Sequence, residues 1–250
     1  MLLFSLLAVI GVALLDPIPQ NLNYHRFADQ RSFLGIPNAL NVMSNLAFLG
    51  VGICGIYQLQ RGSLQIAVQQ RPSCALFFVA LILISTCSIW YHIDPSNKSL
   101  IWDRLAMSIA FMSLCVFIAA EHVDLRLADK LLWPMIWVGL LSVVWWRVSA
   151  LIATEDLRPY AIVQFLPMLL LPIIILCFQS PWSHKTHYWL MFGCYVMAKI
   201  FEHYDRWIFY QTGLVSGHTV KHLMAAFGSG CFLFMLSRRY KVSESSMLDK

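Results

Sequence analysis

The chain has 250 residues, of which 59% are hydrophobic and 12% charged, with a mean hydropathy of +0.65. A soluble domain carries about a quarter charged residues, so this composition excludes water as the solvent on all sides and leaves lipid for most of the surface. The net charge of +5 is scattered and no Lys/Arg run occurs, so no nucleic-acid partner is expected.

A membrane-spanning helix needs about 20 mostly apolar residues. In chain order such runs occupy 2–15, 37–57, 73–92, 101–120, 131–147, 160–178, 186–203 and 217–237. The first is short, lacks a basic flank and has no small-residue cleavage motif before Asp16, so it reads as a retained helix rather than a signal peptide. The expected fold is an all-α membrane protein with one transmembrane domain. It comprises an N-terminal helix and loop over 1–36, a seven-helix core over 37–237 and a cytoplasmic tail over 238–250. The connecting loops are too short for a soluble domain, and no repeat of fixed period occurs.

Loop charge orients the bundle. With both termini cytoplasmic, that side holds Arg61, Arg71, Arg126, Lys130, Lys185, Arg238, Arg239, Lys241 and Lys250. The other side holds Arg26, Arg31, Lys98, Arg104, Arg147, Arg158 and Arg206. The excess is small and comes mostly from the tail; it places the C-terminus in the cytoplasm. Trp133, Trp137, Trp145, Trp146, Trp182, Trp189 and Trp207 fall mostly near helix ends, as an aromatic belt would. The seven cysteines lie in apolar stretches without CxxC spacing and read as buried free thiols.

Ionisable groups inside lipid-embedded helices are expensive, so each needs a reason. Ser88 and His92 lie four apart at the end of one helix, Asp103 opens the next, and His218 and His222 lie four apart at the start of the last. Residues four apart share a helix face, so His218 and His222 can point at one ion. Taken alone, the pair reads equally as two interfacial histidines, one wet and one hydrogen-bonded to a neighbouring helix. Alternating crossings, however, bring His92, Asp103, His218 and His222 to the same membrane face. Glu202, His203, Asp205, Asn38, Asn41 and Asn45 fall there too. Three neutral imidazoles and a water form the open tetrahedral arrangement of catalytic zinc. Asp103 is then placed to take the water's proton or to orient a ligand ring. Ser88 is placed either to donate to an oxyanion or to bond a carbonyl of its own helix. His25, His122, His184 and His187 read as solvated loop side chains.

With these elements the chain resembles the alkaline ceramidases, and more widely the CREST superfamily of seven-helix membrane hydrolases that includes the adiponectin-receptor-like proteins. The matching elements are Ser88-x3-His92, Asp103 eleven residues later, His218-x3-His222 in the last helix, and Asn41-Val42-Met43-Ser44-Asn45-Leu46 at the opening of the first core helix. The similarity runs from about Asn38 to Leu236, as motifs and hydropathy. It implies a seven-transmembrane CREST-like bundle in which His92, His218 and His222 bind one zinc ion, with Asp103 and Ser88 supporting the activated water and the oxyanion. It also implies hydrolysis of the amide of a membrane N-acyl lipid, as in ceramide, to a fatty acid and an amine. Glu202, Asp205 and Asn41 are expected as outer partners of the metal site or as a gate for the head group, an ordinary interfacial ion-pair cluster being the other reading of the acidic residues.

The eukaryotic ceramidases carry an acidic calcium-binding stretch before the first helix. This chain has an extra apolar segment and the loop Tyr24-His25-Arg26-Phe27-Ala28-Asp29-Gln30-Arg31 instead, so calcium is not expected. The layout is closer to bacterial ceramidase-like members, which implies the bacterial inner membrane with the site near the face opposite the tail. A receptor or scaffold with a structural zinc is the alternative from another class. A transporter would show repeat symmetry and broken midplane helices.

Overall fold

A computed structural model describes residues 2–242. Apart from short 3-10 turns and two isolated bridges, its regular structure is α-helical: α1 (Leu2–Ala13), α2 (Ala39–Ser44), α3 (Leu46–Gln60), α4 (Arg71–Ile93), α5 (Asn97–His122), α6 (Arg126–Leu151), α7 (Arg158–Cys177), α8 (Thr186–His203), α9 (Asp205–Thr212) and α10 (Gly217–Arg238). Among the described residues, six stretches are long and apolar enough to cross a membrane: Ala39–Gln60, Val68–Ile93, Asn97–His122, Arg126–Leu151, Arg158–Cys177 and Gly217–Arg238. The chain therefore fits a multi-pass membrane protein.

Three expectations change. The N-terminal helix forms, but α1 has 12 residues and a length of about 18 Å, well short of an apolar layer of about 30 Å. The run over 37–57 is interrupted at Asn45, where α2 hands over to α3. Its polar residues Asn38, Asn41 and Asn45, spaced three and four apart, form a buried face. The run over 186–203 does become a helix, α8, but its hydropathy, lowered by His187, Lys199, Glu202 and His203 together, leaves it outside the six.

The α4–α5 turn explains why residues far apart in sequence meet. Ser96 caps α5 by accepting from Ser99 N–H at 3.3 Å, while Ser99 Oγ accepts from Ser96 N–H at 3.2 Å. That reciprocal box ends one helix and starts the next within a few residues, so α5 returns along α4 and sets Asp103 beside Ser88. Gly213, with φ +62°, ends α9, and Ser216 accepts from Thr219 N–H at 3.1 Å to start α10. At Gly217 a Cβ would lie 2.1 Å from the Phe201 carbonyl, so only glycine lets α10 begin this close to the end of α8.

Phe77, Phe78, Phe117 and Phe232 fill the middle of the bundle, with Phe77 and Phe117 edge-on to Phe232 and Phe78 stacked on it; Phe117 and Phe232 have ring centroids 5.2 Å apart. At one end of that core Glu121 and Arg239 form an ion pair. At the other end gather the start of α2, the end of α4, the start of α5, the end of α8 and the start of α10.

Candidate metal centre

His92, in the last turn of α4, meets His218 and His222 in the first turns of α10. One ligand atom from each lies within 4.8 Å of the others, and all three residues are buried. His92 Nε2 and His222 Nε2 stand 3.4 Å apart. Two nitrogens bound tetrahedrally at about 2.0–2.1 Å from one ion stand about 3.3 Å apart, so this pair needs almost no movement to share one. His218 Nε2 is buried with no hydrogen-bond partner among the described residues. A buried imidazole nitrogen without a partner is costly, and an ion shared with His92 Nε2 and His222 Nε2 satisfies it. Three neutral imidazoles suit zinc, copper, iron or nickel. Among the described residues no fourth His, Cys, Asp or Glu joins the group, which leaves a coordination position for solvent.

Backbone contacts fix the ring positions. Asn38, itself in the left-handed region at φ 49°, donates from Nδ2 to the His92 carbonyl at 2.8 Å. Asp205 accepts from His218 N–H at 2.7 Å through one oxygen and from Ala28 N–H at 3.0 Å through the other. Its carboxylate thus pins the start of α10 to the N-terminal loop. Asn41 Oδ1 accepts from Thr219 Oγ1 at 2.7 Å, tying α2 to the same turn.

Some contacts carry no signal in the sequence. Ser44 Oγ lies 2.8 Å from His222 Nδ1 while donating to the Asn41 carbonyl at 2.9 Å. Phe27 packs its ring 4.6 Å from the His92 ring and 4.8 Å from the His218 ring, covering the cluster from the loop side. His25 is no free solvated side chain: Nε2 donates to Asn97 Oδ1 at 2.8 Å, and Nδ1 accepts from Tyr91 OH at 3.0 Å. These bonds hold the Tyr24–Arg31 loop over the site. His122 is also not solvated, being buried in the last turn of α5 and donating to the Ile118 carbonyl at 3.1 Å. His184 is exposed and His187 half-buried at the start of α8. Trp146 leaves the belt as well, buried with Nε1 donating to Glu155 at 2.7 Å. Of the cysteines, Cys54 and Cys177 are exposed, and all seven are free thiols.

Ser88 donates its hydroxyl to Asp103 Oδ1, so in this arrangement it orients the carboxylate rather than pointing at an oxyanion. Both are buried. Glu202 takes Lys221 Nζ at 2.5 Å, Lys199 Nζ at 2.9 Å and Tyr24 OH at 3.3 Å. It is thus a charge hub that forms no hydrogen bond to a ring of the histidine group.

His222, Asp103 and Ser88 wall the polar end of a cavity of about 390 Å³. Arg104, Lys199, Glu202 and Lys221 also line it; away from these groups the wall is mostly apolar, through Phe77, Leu114, Met168 and Phe192, and it reaches Ile118 and Tyr188. From Tyr188 to Glu202 the flanking helix α8 advances about 21 Å, most of an apolar layer. No protein-family model, curated protein or solved structure matches the chain.

Proposed function

We propose that the chain is a zinc-dependent intramembrane hydrolase of the alkaline ceramidase type, cleaving the amide of an N-acyl lipid to a fatty acid and an amine. The observation that carries this reading is one cavity joining three kinds of wall: His222 of the histidine group, a buried Asp–Ser pair and a long apolar channel. In this reading α8 crosses the membrane beside the six apolar helices and completes a seven-helix CREST-like bundle, with the histidine end facing away from the cytoplasm.

His92, His218 and His222 would hold the zinc ion, which when bound would supply a Lewis acid for the carbonyl and a water of pKa about 7. The apolar wall takes the acyl chain and brings its amide to the polar end. Asp103, held by Ser88, takes the proton lost by the attacking water and delivers it to the nitrogen as the C–N bond breaks. Phe27 and the Tyr24–Arg31 loop exclude bulk water from the histidines.

A receptor or scaffold with a structural metal would close the site with a fourth protein ligand; the three-histidine set favours the hydrolase. The test is metal content and amide cleavage in non-ionic detergent. One zinc per chain is expected, lost in His218→Ala, with cleavage abolished in both His218→Ala and Asp103→Asn. Full zinc occupancy with no N-acyl amide cleaved across a broad panel points to the receptor reading instead.

A further inference from the structure

Arg104, expected in a water-facing loop, is instead buried in the second turn of α5, only 8% exposed. A guanidinium stays charged at any accessible pH, so its burial must be matched by partners. Its Nη2 donates to Gln20 Oε1 at 2.6 Å, a neutral amide. Its face lies 4.3 Å from the Trp146 ring centroid and 4.9 Å from that of Tyr160. Its Nη1 is buried without a hydrogen-bond partner, and no carboxylate pairs with it among the described residues. Aromatic faces and one amide replace only part of the hydration that a buried cation has lost.

Arg104 also lines the cavity, on the same polar end as Asp103, His222 and Lys221. Lys221 Nζ and Arg104 Cζ each lie 5.9 Å from the Tyr24 ring centroid, so one phenol ring separates two cations. Lys221 shares its carboxylate, Glu202, with Lys199. Three cations therefore face two carboxylates here, and one of those, Asp103, is held by Ser88.

We infer that this end of the cavity binds an oxyanion on the substrate head group, a carboxylate or a phosphate carried by the amine half of the lipid, with Arg104 Nη1 as its donor. The substrate class then becomes N-acyl amino acids or N-acyl aminoalkyl phosphates rather than neutral ceramides, an assignment that rests on the amidase reading for the bond cleaved. Binding of the anion itself requires no cleavage and is measured separately.

The experiment titrates purified protein in non-ionic detergent at neutral pH with N-palmitoylglycine, 2-palmitamidoethyl phosphate and the uncharged N-palmitoylethanolamine, and follows amide cleavage in the same samples. A hydrogen bond to a charged group predicts binding about tenfold or more tighter for an anionic head than for the neutral one. The better of the two anions identifies carboxylate or phosphate. Arg104→Gln should bring the ratio close to one, and Arg104→Lys should keep part of it. Equal or tighter binding of the neutral lipid by the unaltered protein overturns the inference without any variant, as does an unchanged ratio in Arg104→Gln. Anion-selective binding with no cleavage upholds the anion site and removes the amidase; cleavage of the neutral lipid without anion preference does the reverse.

Discussion

Ser44 and His222 come from helices 178 residues apart in sequence and meet at 2.8 Å, hydroxyl oxygen to Nδ1. Because the Ser44 proton is directed to the Asn41 carbonyl, its oxygen accepts from His222 Nδ1–H. That contact fixes the tautomer that leaves Nε2 with its lone pair toward His92. Removing such an outer partner lowers metal affinity by about 10–100-fold in comparable sites. Ser44→Ala should therefore weaken zinc binding by that factor in a chelator competition while still reaching one zinc per chain at saturation. An affinity equal to that of the unaltered protein would show that the hydroxyl does not hold the ring.

Asp103 and Ser88 separate chemistry from metal binding. Neither belongs to the histidine group, so Asp103→Asn should retain full zinc content. Loss of a positioned acid–base group costs about 10²–10⁴-fold in rate. Ser88→Ala removes one hydrogen bond to a carboxylate that remains present, and should reduce kcat by less than Asp103→Asn does. Steady-state rates beside metal analysis check both. A zinc-free Asp103→Asn protein would place the carboxylate in the metal site and refute the separation.

His92, His218, His222, Asp103 and Ser88 were legible in the sequence because two local spacings and the parity of the crossings suffice to bring them to one end. What escaped depends on contacts that no local pattern encodes. Arg104 reads as a loop cation since it lies seven residues into its helix, beside Asp103; its burial needs Gln20, Trp146 and Tyr160 from three other segments. Phe27 sits in a polar loop, and only the folded loop shows its ring against two imidazoles. The break at Asn45 was masked by a continuous apolar run, although the spacing of Asn38, Asn41 and Asn45 already marks a polar face. The lengths of α4 and α10 follow closely from hydropathy, whereas α5 starts earlier than the apolar run over 101–120, at Asn97 behind its Ser96 cap; α1 falls short because its apolar run ends at Leu15, ahead of Asp16 and Pro17.

The loop over the site should loosen in acid. Asp29 accepts from Arg31 Nε at 2.9 Å and Nη2 at 2.8 Å, and Arg31 also donates to the Gly213 and Leu214 carbonyls that precede α10. The Arg31 hydrogen bonds hold the Asp29 carboxyl below the usual carboxylate range. The folded loop thus takes up a proton less readily than the unfolded chain. Its contribution is complete above about pH 4 and fades as pH falls through the lowered value. Melting temperatures of the unaltered protein and of Asp29→Asn should differ at neutral pH and converge in acid. A gap that stays constant down to strongly acidic pH would rule out this pair as its source.

The opposite end of the bundle should govern stability without touching the metal. Glu121 and Arg239 are 1% and 0% exposed and pair at 2.6 Å. Glu121 also accepts from Ser180 Oγ at 2.9 Å and Tyr188 OH at 2.9 Å, joining α5, α8 and the end of α10. Removing one partner of a buried pair strands the other charge, at a cost of about 3–5 kcal/mol. Replacing both by apolar groups of similar volume is often neutral. Glu121→Ala should therefore lower the melting temperature sharply, and the double variant Glu121→Leu with Arg239→Met should recover much of the loss. Zinc content should stay at one per chain in the double variant, because the histidines sit across the aromatic layer formed by Phe77, Phe117 and Phe232. If the double variant is no more stable than the single one, the pair stabilises through its geometry and hydrogen bonds rather than through mutual neutralisation.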